Sequence, residues 1–266
     1  MALRFLPLLL LITASCSALR LGAGDDPTSL RVVSYNIRHG VGMDGELDLE
    51  RTAAVLEALR ADVILLQEVD ERCDRSGGVD QASALGERLG MDPAFAPFMD
   101  FGGGRYGLAI LSRLPIDSSE VITLPPGQRE PRSALAVVVR KGRQPVRVVN
   151  AHLDWLEDDT ERFAQATHLS DAIAAMDPTI PTVFGGDLND APKSRTVLAF
   201  ERAELPWHAR FRRIGPFGYT FPSDEPARSI DHFLVAPSNL WSTAEVQVVR
   251  EPMASDHRPI VADLVP

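Results

Sequence analysis

The run Asp62-Val63-Ile64-Leu65-Leu66-Gln67 constrains this chain more than any other stretch. It is nearly continuous in apolar, strand-favouring side chains, the pattern of a strand covered on both faces. Comparable runs predict strands at Leu30 to Asn36 and near Tyr106 to Leu111, Ser118 to Leu124, Ala134 to Arg140, Val146 to Ala151, Pro181 to Phe184, Ile230 to Val235, Ala244 to Val249 and Ile260 to Leu264. Helical patterns fall between them. Asp48 to Arg60 sets Leu49, Ala53, Leu56 and Leu59 on one face with Asp48 as N-cap, and further helices are expected at Gln81 to Leu89, Asp159 to Ala175 and Ser194 to Glu201. Strands joined directly as hairpins and only sometimes through helices imply stacked sheets with helices on the outer faces, more sheet than a doubly wound parallel fold needs. Phe95, Phe98, Phe101 and Gly102-Gly103-Gly104 read as an apolar loop, either free to meet substrate or packed as a lid on its own domain.

Length and composition set the outer limits. The chain has 266 residues, 45% hydrophobic and 24% charged, enough for one globular domain with a full core. Its formal net charge of -10 comes with no Lys/Arg-rich block. Such a balance disfavours a protein that holds nucleic acid through phosphate neutralisation alone, while leaving room for a nuclease that recruits a divalent cation. The aromatic content of 6% suggests no stacking platform for nucleic acid.

The N-terminus has the layout of an export signal: Arg4, an apolar run from Phe5 to Ile12, then small residues through Ala18. That run is too short to span a membrane. Thr13-Ala14-Ser15-Cys16 resembles a lipoprotein processing box, with Thr13 where Leu is usual, so lipidation of Cys16 and ordinary cleavage near Ala18 are both open. The expected organisation is a signal over 1–18, a polar spacer over 19–29 and one domain over 30–266, exported as a periplasmic, secreted or membrane-anchored monomer. Cys73 is then the one remaining thiol, so neither a disulfide framework nor a cysteine-based zinc site can form.

Ligand-type residues recur where these apolar runs end. Asn36 closes the first strand and Glu68 follows the second; His152 follows Val-Val-Asn-Ala, and Asp187 and Asn189 follow Pro-Thr-Val-Phe-Gly-Gly. Asp231 opens a later strand, and Asp256-His257 precedes the final one. Taken singly, each reads as a cap, a turn or a hydrogen-bonded structural histidine. Taken together, they are polar side chains at the ends of rigid elements, where a site can be assembled from distant parts of a sequence.

The ordered set Ser34-Tyr35-Asn36-Ile37-Arg38, Leu66-Gln67-Glu68-Val69, Tyr106 through Arg113, Asn150-Ala151-His152-Leu153-Asp154, Gly185-Gly186-Asp187-Leu188-Asn189, Ser229-Ile230-Asp231-His232 and Ser255-Asp256-His257 resembles the endonuclease/exonuclease/phosphatase superfamily. The resemblance implies an α+β, four-layer αββα sandwich. It also implies phosphoester hydrolysis with Mg²⁺, for which Mn²⁺ can substitute, held by Glu68 with Asn36 beside it and Asp256 contributing. Asp231 would orient His257, with Asp187 the alternative base, Asn189 holding water or a phosphate oxygen, and His152 and Arg132 contacting the phosphoryl group. Whether His257 takes a proton or lends charge stays open. His232 is expected to pack, His39, in the loop after Asn36, to lie at the surface in preference to approaching substrate, and His168 and His208 to stand apart from any constellation; Leu108 would shape the pocket wall. Small, lipid-derived and nucleotide phosphodiesters are the favoured substrates, with a secreted nuclease on DNA or RNA and a catalytically inactive phosphate- or lipid-binding module as alternatives.

Overall fold

Each of two sheets is built around a central pair of parallel strands, and that pairing positions everything else. A computed structural model of the protein describes residues 29–202 and 211–265. In the first sheet β1 (Leu30–Asn36) runs parallel to β2 (Val63–Glu71), with register pairs from Val32 and Val63 to Asn36 and Gln67. Outside them lie β4 (Gly104–Ser112) and β3 (Asp92–Phe101) on one side, β12 (Ile260–Val265) and β11 (Thr243–Val248) on the other, giving the order β11-β12-β1-β2-β4-β3. The second sheet repeats the scheme. Here β7 (Gln144–His152) runs parallel to β8 (Thr182–Asp187), flanked by β6 (Ser133–Lys141) and β5 (Ile116–Thr123) and by β10 (Asp231–Ala236) and β9 (Arg212–Gly215), in the order β5-β6-β7-β8-β10-β9.

Every other neighbouring pair is antiparallel, so both six-stranded sheets follow one pattern of directions. The alternation of side chains along a strand sorts residues onto faces. Leu30, Val32, Val63 and Leu65 of the first sheet meet Leu135, Val137, Val148, Val183, Phe233 and Val235 of the second in a core between the sheets. On the outer faces, α1 (Leu49–Leu59) and α2 (Gln81–Leu89) cover the first sheet through Leu56, Leu59, Leu85 and Leu89. The second sheet is covered by α3 (Thr160–Ala174) and α4 (Arg195–Arg202) through Leu169, Ile173, Val197 and Phe200. The result is the expected α+β sandwich of two packed mixed sheets flanked by helices. Asp48 caps α1 as predicted, its carboxylate accepting from Arg51 N at 2.9 Å.

Two segments depart from expectation. The stretch holding Phe95, Phe98 and Phe101 is not a loop but the edge strand β3, turned into β4 at Gly102 and Gly103, both at positive φ. Pro93 and Pro97 hid it: proline cannot donate to a ladder, but an edge strand has a side where no donor is needed, and the register shifts beside Pro97. The short strand β9, beside β10, also carried too little pattern to be read. No described helix is long and apolar enough to cross a membrane. Cys16 and the predicted signal lie outside the described residues, as does His208.

Candidate active site

The two parallel pairs end at the same rim. Asn36 stands opposite Gln67, and His152 opposite Asp187, which is itself paired with Asp231. Glu68 arrives there through an irregularity. Strict alternation would turn it toward the helices, since Leu65 faces the other sheet and Leu66 faces α1 and α2. Instead the β2 to β4 register slips between Leu66 and Val69, and Glu68 takes a left-handed conformation at φ 57. Val69 then resumes the helix-facing side. A non-glycine residue in that region costs free energy, and here the bulge carries Glu68 to the rim.

Asn36 joins the sheets. Its amide nitrogen donates to Glu68 Oε1 at 3.1 Å and to Asp187 Oδ2 at 3.2 Å, while its oxygen accepts from Arg38 N. β8 reaches this point only because Gly186 has no side chain. At φ 141, a Cβ on it would lie 1.9 Å from Ala151 O on β7.

Asp187 is the hub. Its Oδ2 lies 3.6 Å from His152 Nε2 and 3.5 Å from His257 Nε2, and its Oδ1 accepts from Asn189 N at 2.9 Å. His257 Nδ1 sits 3.0 Å and 3.2 Å from the two oxygens of Asp231, and all of these side chains except Asn189 are buried. Burial alone would depress the His257 imidazole, yet Asp231 and Asp187 on either side overcome it and hold the ring above its ordinary range. Burial raises the Asp187 carboxyl, against the pull of His257. His152 is driven the other way, well below an ordinary histidine, by burial and by the charges of Arg132 and His257.

The tautomer of His152 follows from its neighbour. Arg132 Nη1, which can only donate, lies 3.5 Å from His152 Nδ1, so Nδ1 accepts and Nε2 carries the hydrogen. Arg132 is buried, pairs with Glu130 at 2.9 Å, stacks over Phe98, and keeps its Nε without a hydrogen-bond partner. Asn189, at φ 53, uses one amide hydrogen on Leu153 O at 3.0 Å, leaving the other and its oxygen free. Asp256 is tied in through Ser255, whose hydroxyl donates to Asn36 O at 2.7 Å and lies 3.3 Å from Asp256 Oδ1.

Two oxygen-rich groupings could meet a cation. Asp187, Asp231 and His257 each offer a ligand atom within 4.8 Å of the others. There, however, His257 commits Nδ1 to Asp231, and its own charge offsets a carboxylate. Glu68 and Asp256 are paired more loosely, with Arg38 Nε 3.8 Å from Asp256 Oδ2. Burial raises the Glu68 carboxyl first of all, Asn36 and His257 lower it in part, and the charge of Asp256 pushes it up further. Among the described residues, the one cationic-capable group paired with Glu68 Oε2 is His39 Nδ1 at 4.0 Å, beyond hydrogen-bond reach. Two carboxylates with a single guanidinium at 3.8 Å make a hard oxygen set that fits a hard divalent cation.

Other histidines divide as follows. His232 packs as expected: Nε2 lies 2.7 Å from Asp190 O, Nδ1 accepts from Arg213, and burial drives its pKa to about 4. His168 is exposed on α3. His39 corrects the expectation of a surface position, because the chain turns inward through left-handed Arg38 and His39 and leaves its ring half-buried beside Glu68, with Nδ1 unbonded. Leu108 is fully buried against Phe98 and Tyr106.

A cleft of about 1010 Å³ opens beside the rim, reached through Asn189 and Ile230, the neighbours of Asp187 and Asp231. Trp155, Phe217 and Tyr219 line it, exposed to 50%, 90% and 58%. Composition concealed this feature: few aromatics, but three of them gathered at one place.

The comparisons agree with this architecture. The profile of the Endonuclease/Exonuclease/phosphatase family matches residues 33–257, which include all of the rim residues above. Among solved structures, an endonuclease/exonuclease/phosphatase from Beutenbergia cavernae is 25% identical with a TM-score of 0.73, covering 90% of this chain and 72% of that one. The human Nocturnin catalytic domain with bound sulfate is 20% identical, TM-score 0.67, covering 89% and 93%. A mannosyl-6-phosphatase from Bacteroides thetaiotaomicron is 17% identical, TM-score 0.70, covering 89% and 100%. This chain belongs to the endonuclease/exonuclease/phosphatase family and is a hydrolase of the phosphoesterase and nuclease type.

Proposed function

We propose that the protein is an exported phosphodiesterase that depends on a divalent cation, Mg²⁺ with Mn²⁺ as a substitute. The observation that carries the reading is the single connected chain from Glu68 through Asn36, Asp187 and His257 to Asp231, every link within 3.6 Å and drawn from both sheets. Export rests on the pattern of residues 1–18.

Glu68 and Asp256, with the oxygen of Asn36, would hold the cation, which when bound neutralises charge on the phosphoryl group and on the departing oxygen. The remaining work falls to side chains. His257, kept protonated between two carboxylates, is a poor acceptor and instead directs its Nε2 hydrogen at a phosphoryl oxygen. Asp187, raised toward neutrality by burial, is matched to accept the proton of the attacking water. Asn189 holds that water with its free amide groups. His152, neutral with hydrogen on Nε2, and Arg132, with its unbonded Nε, add donors to the phosphoryl group.

The test is a panel of plasmid DNA, RNA, phospholipids and small phosphate mono- and diesters, given to the full chain with Mg²⁺ or Mn²⁺ and then with chelator. Cleavage of a diester that chelator stops is expected. No cleavage of any substrate, or cleavage unaffected by chelator, overturns the reading. For localisation, Cys16→Ser should move the protein from the membrane fraction to the soluble one if the anchor exists; unchanged soluble export would exclude the anchor.

A further inference from the structure

The cleft beside the rim has more order than a phosphoryl group alone requires. One wall is the loop after β7, where Trp155 is held by Arg162, which donates to the carbonyls of Asp154 and Leu156 at 3.0 Å and 2.8 Å and pairs with Asp190. Phe217 and Tyr219 line the same cleft, with Phe217 under the Arg213 guanidinium at 5.6 Å. Exposed rings that line one concave site lose water-facing apolar area when a flat ring packs against them.

The charges point the same way. In a chain of net charge -10, this lining holds four cationic side chains against three carboxylates. Two of the cations, Lys193 and Arg228, are exposed and have no carboxylate partner among the described residues. Arg228 stacks on Phe221 at 4.6 Å, and Phe221 lies 4.9 Å from the His257 ring, so an unpaired positive charge stands one aromatic ring away from the reacting group.

We propose that this cleft binds the nucleotide portion of the substrate, its base against Trp155, Phe217 and Tyr219 and a second anionic group against Arg228 and Lys193. The proposal rests on the phosphodiesterase reading for the meaning of the adjoining rim, but its test does not. A lipid surface would engage rings that project from a convex face; these border a cavity whose unpaired cations suit a compact anion.

Calorimetric titration of the full chain with adenosine monophosphate should show saturable binding, with ribose 5-phosphate, which lacks the base, roughly tenfold weaker or more. Trp155→Ala combined with Phe217→Ala should remove that preference and leave ribose 5-phosphate binding as it was. Arg228→Ala should weaken both ligands by similar factors. All three residues are exposed, so the variants should fold. Absence of binding, equal binding of the two ligands, or a preference that survives the double substitution overturns the proposal. So does binding to phosphatidylglycerol vesicles that the double substitution abolishes while the nucleotide goes unbound. Asp187→Asn separates the two readings: it should slow hydrolysis roughly 100-fold or more yet bind adenosine monophosphate like the parent. Base-selective binding without hydrolysis of any ester by the parent would leave this subsite standing and sink the phosphodiesterase.

Discussion

Gln67 and Asn150 meet across the gap between the sheets, the Gln67 amide donating to Asn150 Oδ1 at 2.7 Å. Asn150 in turn donates to Leu66 O at 2.8 Å and Ala109 O at 2.9 Å, the last pair of carbonyls before β2 and β4 lose register at the Glu68 bulge. One buried amide therefore fills the break in one sheet's ladder and fixes that sheet against the other. Asn150→Ala should cost about 3 kcal/mol, because it removes the donor from two buried carbonyls and one acceptor from the Gln67 amide, which keeps Ser34 Oγ at 3.1 Å. Urea unfolding checks this; a midpoint within error of the parent would show that water replaces the side chain.

Asp187→Asn keeps the shape of the hub and removes its charge. Turnover of whichever diester proves to be a substrate should fall roughly 100-fold to 10,000-fold, the usual contribution of a positioned base, with the fold unchanged. Circular dichroism and steady-state kinetics, read together, decide it. His257→Gln should fall by a comparable factor, and a variant at either position that works as fast as the parent would remove that residue from the mechanism.

His232 makes stability depend on pH. Its folded pKa of about 4 lies below the ordinary 6.5 because burial opposes charging. An unfolded chain takes up that proton as pH drops through 6.5, whereas the folded protein resists until about 4. The contribution is complete above 6.5 and is lost between 6.5 and 4, roughly 3 kcal/mol in all at about 1.4 kcal/mol per unit. His232→Gln should flatten the fall in unfolding free energy over that window relative to the parent; equal slopes would mean His232 titrates normally.

Gln81 is a bracket beneath the predicted cation ligands. Buried on α2, it donates to His39 O at 2.7 Å and accepts from Asp70 N at 3.0 Å, so one side chain ties the loop after Asn36 to the strand just past Glu68. Gln81→Met preserves volume and breaks both bonds. The expected result is a higher concentration of Mg²⁺ needed for half-maximal activity, with the maximal rate at saturating metal changed less. An unchanged metal requirement would reduce Gln81 to a packing role.

Much of this was legible in the residues, and the reasons for the rest are physical. Parallel pairs buried on both faces announce themselves as apolar runs, so Asn36, Glu68, His152 and Asp187 could be placed at strand ends from the runs beginning at Leu30, Val63, Val146 and Pro181. How Glu68 reaches the rim could not be read, since a one-residue bulge leaves the pattern of types almost untouched. β3 was hidden by Pro93 and Pro97, residues that argue against a strand except at an edge. His39 looked like a surface residue because nothing in a sequence reports two successive left-handed residues that fold a loop inward. Trp155, Phe217 and Tyr219 come together only because α3 and β8 to β10 return the chain to the same rim, a contact between distant segments that no local window contains.

The place of β12 has a further consequence. It lies between β11 and β1, so the latest-made of the described strands docks onto the first. Asp256 and His257 sit immediately ahead of it. A chain still on the ribosome that has passed the strands of the second sheet and β1 to β4 of the first still lacks the imidazole that belongs between Asp187 and Asp231. The hub around Asp187 is therefore completed by the last part of the described chain to be made, and held there only once β12 has joined β1.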